Sequence, residues 1–167
     1  MRSLLPRGRN REHGESVNPR FALLIAGARG MQAVIYTKQV VPNLASVGVL
    51  CTTATKEAAI FDAPFAEQGV EVVYADERDQ EELQESISSL EYGLKAVFPP
   101  SPRATGTVHK IVNKFQEQGV GAIFMGCTEM PLVLHGTAYN GTPLVDPVDA
   151  LARALIREVD PAKVKPL

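Results

Sequence analysis

The chain has no tryptophan, only two cysteines and 6% aromatic residues among 167. Two thiols, Cys51 and Cys127, are too few for a disulfide framework, so both are read as free, in a reducing and hence cytoplasmic setting. No apolar run approaches the roughly 20 residues that span a bilayer, and no secretory signal opens the chain, which argues against a membrane partner. Charge of one sign is also lacking: 17 Lys and Arg face 19 Asp and Glu, for a net charge of −2. No strongly basic face is implied, so nucleic acid is excluded as the default partner and a small molecule or protein takes its place. The remainder is a 45% hydrophobic chain able to bury one proper core.

The first twenty residues stand apart. Arg2, Arg7, Arg9, Arg11 and Arg20 are interrupted by Pro6, Gly8, Gly14 and Pro19, and the segment 1–20 reads as a disordered basic leader. An organelle transit peptide is the weaker reading, because Glu12 and Glu15 break the acid-poor pattern. From residue 21 to 167 short apolar runs alternate with segments at helical spacing, the pattern of βαβ units and a parallel α/β sheet flanked by helices. Strands are predicted over Phe21–Ala26, Val47–Leu50, Val70–Tyr74, Gly121–Met125 and Pro143–Val145. Helices are predicted over Met31–Val41, Lys56–Gln68, Arg78–Gly93 and Thr105–Gln118. Two of them end alike, Ala-Glu-Gln-Gly-Val at 66–70 and Gln-Glu-Gln-Gly-Val at 116–120, each glycine serving as a left-handed stop. The acidic run from Asp76 to Glu82 suits a helix N-terminus better than a metal site.

In such a sheet, function collects beyond the C-terminal ends of strands. Cys51-Thr52-Thr53-Ala54-Thr55 comes after one strand and offers hydroxyls and amides for a carboxylate or phosphate, with an ordinary Thr N-cap as the equal alternative. Gly126-Cys127-Thr128-Glu129 comes after another. A thiol there, beside a helix N-terminus, is expected to have a depressed pKa and to act as base or nucleophile. The plain alternative is a buried structural cysteine. Glu129 can orient a neighbour or bind an ammonium group, or simply sit in a first helical turn. His13, His109 and His135 share no ligand spacing, so no metal site is indicated, and His135 reads as a surface residue. Gly27-Ala28-Arg29-Gly30 lacks a full dinucleotide pattern and reads as a turn.

Three stretches give the sequence a family resemblance. Val47 to Thr55, Gly126 to Leu132 and Thr142 to Pro147 resemble, in that order, the strand and threonine loop, the second catalytic cysteine motif and the Asp-Pro turn of the aspartate/glutamate racemase family, with its hydantoin racemase and arylmalonate decarboxylase relatives. The likeness runs from about Val47 to about Val159. It implies cofactor-independent proton transfer at the Cα of a small acidic amino acid, by two thiols on opposite faces. Cys127 would be the second of these thiols. Thr52, Thr53 and Thr55 would hold the substrate carboxylate, with Thr128 and Glu129 as further binding residues.

The departures are specific. The family's first cysteine, in a Cys-Asn-Thr motif on an N-terminal lobe, has no counterpart before Val47, and the glycine of the threonine loop is Ala54. The chain therefore reads as one lobe of a two-lobed fold, with the apolar face of that lobe free to form a homodimer. Cys51 is expected on the wrong side to replace the lost base. Two alternatives stand beside the racemase: one-thiol protonation of the arylmalonate decarboxylase kind, and a catalytically dead lobe kept as an interaction module.

Overall fold

The computed structural model describes residues 33–164. The basic leader predicted over 1–20, the strand Phe21–Ala26 and the turn Gly27–Gly30 lie outside the described residues. Helix α1 runs through residues 33–40. It is followed by β1 (Ser46–Val49), α2 (Thr53–Glu57), α3 (Asp62–Ala66), β2 (Glu71–Tyr74), α4 (Glu77–Ser88) and α5 (Pro102–Glu117). β3 (Ala122–Phe124), β4 (Ala138–Tyr139), β5 (Thr142–Val145) and α6 (Pro147–Val159) complete the order.

Among the described residues the strands form one five-stranded sheet in the order β2-β1-β3-β5-β4, parallel except for β4, which pairs antiparallel with β5. Successive strand residues point to opposite faces, and the side chains divide accordingly. Leu50, Ile123 and Met125 join Leu83 and Ile87 of α4 and Val108, Ile111 and Phe115 of α5 in one apolar layer. Val47, Val49, Phe124 and Val145 join Val34 of α1, Phe65 of α3 and Ala150 of α6 in the other. Both faces are covered, so the strands are apolar on both sides, as a buried parallel sheet requires. Gly48 has no side chain because Phe115 fills its place: a Cβ there would stand 2.6 Å from the ring's Cδ2.

Four of the five predicted strands fall where the sequence puts them. The two glycine stops also form as expected. Gly69 and Gly119 have φ of +68° and +76°. In each case the glycine N–H donates three residues back and the following valine N–H five back, Val70 to Phe65 and Val120 to Phe115, which closes a Schellman motif. The predicted helix Lys56–Gln68 is instead two helices. The chain breaks at Ala59, whose φ is +49°, and Pro64 sits in the first turn of α3, where its missing N–H removes no helical bond. The hairpin β4–β5, absent from the sequence reading, turns at Asn140 and Gly141 with φ of +47° and +85°, the signature of an Asn-Gly type I′ turn.

The acidic run has a second use besides the helix dipole. Asp76 caps α4 by accepting the Asp79 N–H, while Asp79, 2% exposed, is paired with Lys110 and Lys114 of α5. It clamps the two helices of one layer together.

Candidate active site

Cys51 and Cys127 stand at the C-terminal ends of the adjacent strands β1 and β3. The register pairs Val49 with Phe124, which brings Cys51 level with Gly126 and leaves Cys127 one residue further along. A Cβ on Gly126 would meet the Cys51 Cβ at 3.2 Å, the Leu50 carbonyl oxygen at 3.2 Å and Phe61 Cε2 at 3.0 Å. Only glycine brings the chain through this gap without displacing its neighbours. Cys51 is fully buried in the layer of α1, α3 and α6, and burial pushes its thiol up to about 12.

Cys127 belongs to the opposite layer and is 7% exposed. Its Sγ donates a hydrogen bond to Glu129 Oε2 at 2.9 Å, and Thr128 Oγ1 donates to the same oxygen at 3.1 Å. The depressed thiol pKa expected from the sequence is corrected here. Beyond Cys127 the chain makes a single 3-10 turn, Met130–Leu132, which has little dipole to offer. Burial, reinforced by the bond to Glu129, instead pushes the thiol up to about 11. Burial also works to raise Glu129, but the bonds from Cys127 and Thr128 outweigh it and hold its carboxyl below the usual range.

The threonine loop is an N-cap. Thr52 Oγ1 accepts the Thr55 N–H at 3.3 Å and lies 2.9 Å from Thr55 Oγ1, while the Thr53 N–H donates to Gln84 Oε1 of α4 at 2.9 Å. Thr52, Thr53 and Thr55 are half-buried in this arrangement. Lys95, exposed in the loop between α4 and α5, acts on the other motif: its charge works to lower both the Cys127 thiol and Glu129. A cavity of about 540 Å³ flanks the Cys127 turn, with Met125 and Pro131 from either side of the turn in its wall beside His135, Asp146 and Arg153. Cys127 itself does not line it. Among the described residues no cluster of three or more His, Cys, Asp or Glu is placed to hold a metal ion, and no helix is long and apolar enough to cross a membrane.

Residues 30–155 match the Asp/Glu/hydantoin racemase family. The chain belongs to that family. Picrophilus torridus aspartate racemase is 27% identical and superposes with a TM-score of 0.61 over 78% of this chain and 50% of its own. A Yersinia pestis protein provisionally identified as an Asp/Glu racemase is 24% identical with a TM-score of 0.65, covering 75% of this chain and 52% of its own, a likeness of fold. The uncharacterised Pectobacterium carotovorum subsp. carotovorum protein of the pnlA 3′ region is 32% identical over 93 residues, 56% of this chain and 58% of that protein. This racemase-family chain thus spans about half the length of the relatives it matches.

Within the racemase-family fold, the structure brings Cys127, Thr128 and Glu129 together as one hydrogen-bonded group and gathers Thr52, Thr53 and Thr55 at the neighbouring strand end. The first set is tied within its own turn, and the second is tied to α4 through Gln84. The sequence reading misses Lys95, Gln80 and Gln84. All three are remote in sequence from the motifs they act on, Gln80 and Gln84 by hydrogen bonds and Lys95 by its charge, and a polar residue in a helix or loop carries no local mark of such a partner.

Proposed function

We propose that this chain supplies one face of a cofactor-independent amino-acid racemase, with Cys127 as the thiol that exchanges a proton with the Cα of an acidic amino acid. The observation that carries the reading is the Cys127 S–H bonded to the Glu129 carboxylate at 2.9 Å, at the end of a parallel strand. A raised thiol beside a lowered carboxyl makes the resting pair S–H and COO⁻, loaded with its proton. When a carbanion at Cα takes that proton, the S–H bond breaks and the C–H bond forms. A desolvated thiolate is left beside Glu129. Such a thiolate is a stronger base than one in water, which suits the reverse step, removal of a weakly acidic Cα proton.

The hydroxyls of Thr52, Thr53, Thr55 and Thr128 and the cation of Lys95 support an acidic substrate. They supply donors and positive charge for two carboxylates near the strand ends. Two-face exchange needs a second acid or base opposite Cys127, and Cys51, buried in the other layer, does not fill that role. The reactive thiol must stay reduced, which favours the cytoplasm. Apolar side chains exposed on α6, among them Val148, Leu155 and Val159, support a homodimer.

The resting S–H form also favours a second reading. One-thiol protonation of an enolate, of the arylmalonate decarboxylase kind, needs no opposing base. Proton NMR in D₂O separates the two. Loss of the Cα–H signal of aspartate or glutamate with wild-type protein, reduced at least about 100-fold in Cys127→Ala, is the result expected of the racemase. No exchange, together with decarboxylation of an aryl malonate, would transfer the assignment to the second reading.

A further inference from the structure

We propose that Gln80 and Gln84 of α4 are positioning residues for the threonine loop, an inference that rests on reading that loop as the holder of a substrate carboxylate. Gln84 Oε1 accepts the Thr53 N–H at 2.9 Å, and Gln80 Nε2 donates to the Cys51 carbonyl oxygen at 3.0 Å. The two glutamines are one helical turn apart and so share a face of α4. Between them they hold the residues on either side of Thr52. With Cys51 and Thr53 both fixed, the Thr52 hydroxyl is set 2.9 Å from that of Thr55.

A separate observation comes from the interior. Gln80 is 4% exposed, and its Oε1 has no hydrogen-bond partner among the described residues. A buried acceptor without a partner destabilises a fold, and a leucine of similar size would remove this one only by leaving the buried Cys51 carbonyl without its donor. What leucine would not provide is the N–H that holds Cys51. Both gripping side chains are also neutral. A carboxylate in place of Gln84 would accept the same Thr53 N–H, but it would repel an anion bound at the loop. The amide fixes the backbone and leaves the local charge open to an acidic substrate.

The test uses the full chain as Gln84→Met, Gln84→Glu and Gln80→Leu beside wild type. The Thr53 amide exchange rate, the kcat and KM for Cα exchange of aspartate, and the Kd of succinate from amide shifts of residues 52–55 are measured for each. Gln84→Met is expected to speed Thr53 amide exchange about tenfold and to raise KM and the succinate Kd about tenfold, with kcat within roughly twofold. Gln84→Glu is expected to restore Thr53 protection while the succinate Kd stays raised, because the new carboxylate repels an anion held at the loop. Gln80→Leu is expected to raise KM. An unchanged KM and Kd in Gln84→Met, or a loss borne by kcat and stability together, overturns the proposal. If wild-type protein exchanges no Cα proton, the racemase reading fails by itself, and the succinate arm still decides. Equal Kd values across the set, or no succinate shifts at residues 52–55 of the wild type, then overturn the positioning role.

Discussion

Cys51 and Cys127 lie at neighbouring strand ends yet face opposite layers of the sheet, because they are one residue out of step across the β1–β3 pair. An odd offset in a strand register always reverses the face. The two thiols therefore point into different layers and differ in their surroundings: Cys51 packs against Gly126, while Cys127 is hydrogen-bonded to Glu129.

Selective alkylation is the direct consequence of that division. With Cys51 at 0% exposure and its thiol pushed up to about 12, iodoacetamide is expected to label Cys127 alone in the native protein. Peptide mapping by mass spectrometry checks the site. Gly126→Ala, whose Cβ would crowd Phe61, Cys51 and Leu50, is expected to lower stability by about 1–3 kcal/mol in urea denaturation. Labelling of Cys51 ahead of Cys127 would refute the arrangement.

Glu129 gives the pH behaviour a direction. Burial first and then the carboxylate raise the Cys127 thiol from 9.0 to about 11, so removing the charge in Glu129→Gln is expected to bring the value down. Alkylation at pH 8 should then accelerate, by about tenfold for each unit of fall. Linkage gives a matching effect on stability. A folded pKa above the unfolded one contributes fully below about pH 9 and is lost as pH rises toward about 11. The thermal midpoint of the wild type should fall across that window, and that of Cys127→Ala should fall less. A Glu129→Gln thiol that titrates at the wild-type position would remove Glu129 from the account.

The architecture is legible in the sequence because its cause is local. Branched apolar runs such as Val47-Gly48-Val49-Leu50 form buried strands whatever surrounds them, and the Gln-Gly-Val stops at residues 68–70 and 118–120 carry their own turn chemistry. Lys56–Gln68 misleads because its apolar spacing outweighs Pro64, although a proline there restricts the residue before it and marks a helix start. The Asn140-Gly141 turn is legible in principle, but β4 is two residues long and leaves no periodic trace. The thiol pKa departs from expectation for a different reason. A motif shows which residues stand beside a cysteine but not how much solvent the fold removes from it, and here desolvation dominates.

The clamp between α4 and α5 gives the last test. Asp79 is 2% exposed and takes both Lys110 and Lys114. Burial by itself would raise the carboxyl, but the two lysines prevail and hold it below its ordinary 3.8. A lowered folded pKa means a contribution present above the unfolded value and lost as pH falls through the folded one. The lysines are less than half exposed at 41% and 43%, so solvent screens part of the attraction. Asp79→Asn, which keeps the shape and removes the charge, is therefore expected to cost about 1–3 kcal/mol at pH 7. The gap from wild type should close as pH drops below 3.8, with the denaturant slope unchanged. A gap that persists at low pH would mean that the charge of Asp79 is not what holds the two helices together.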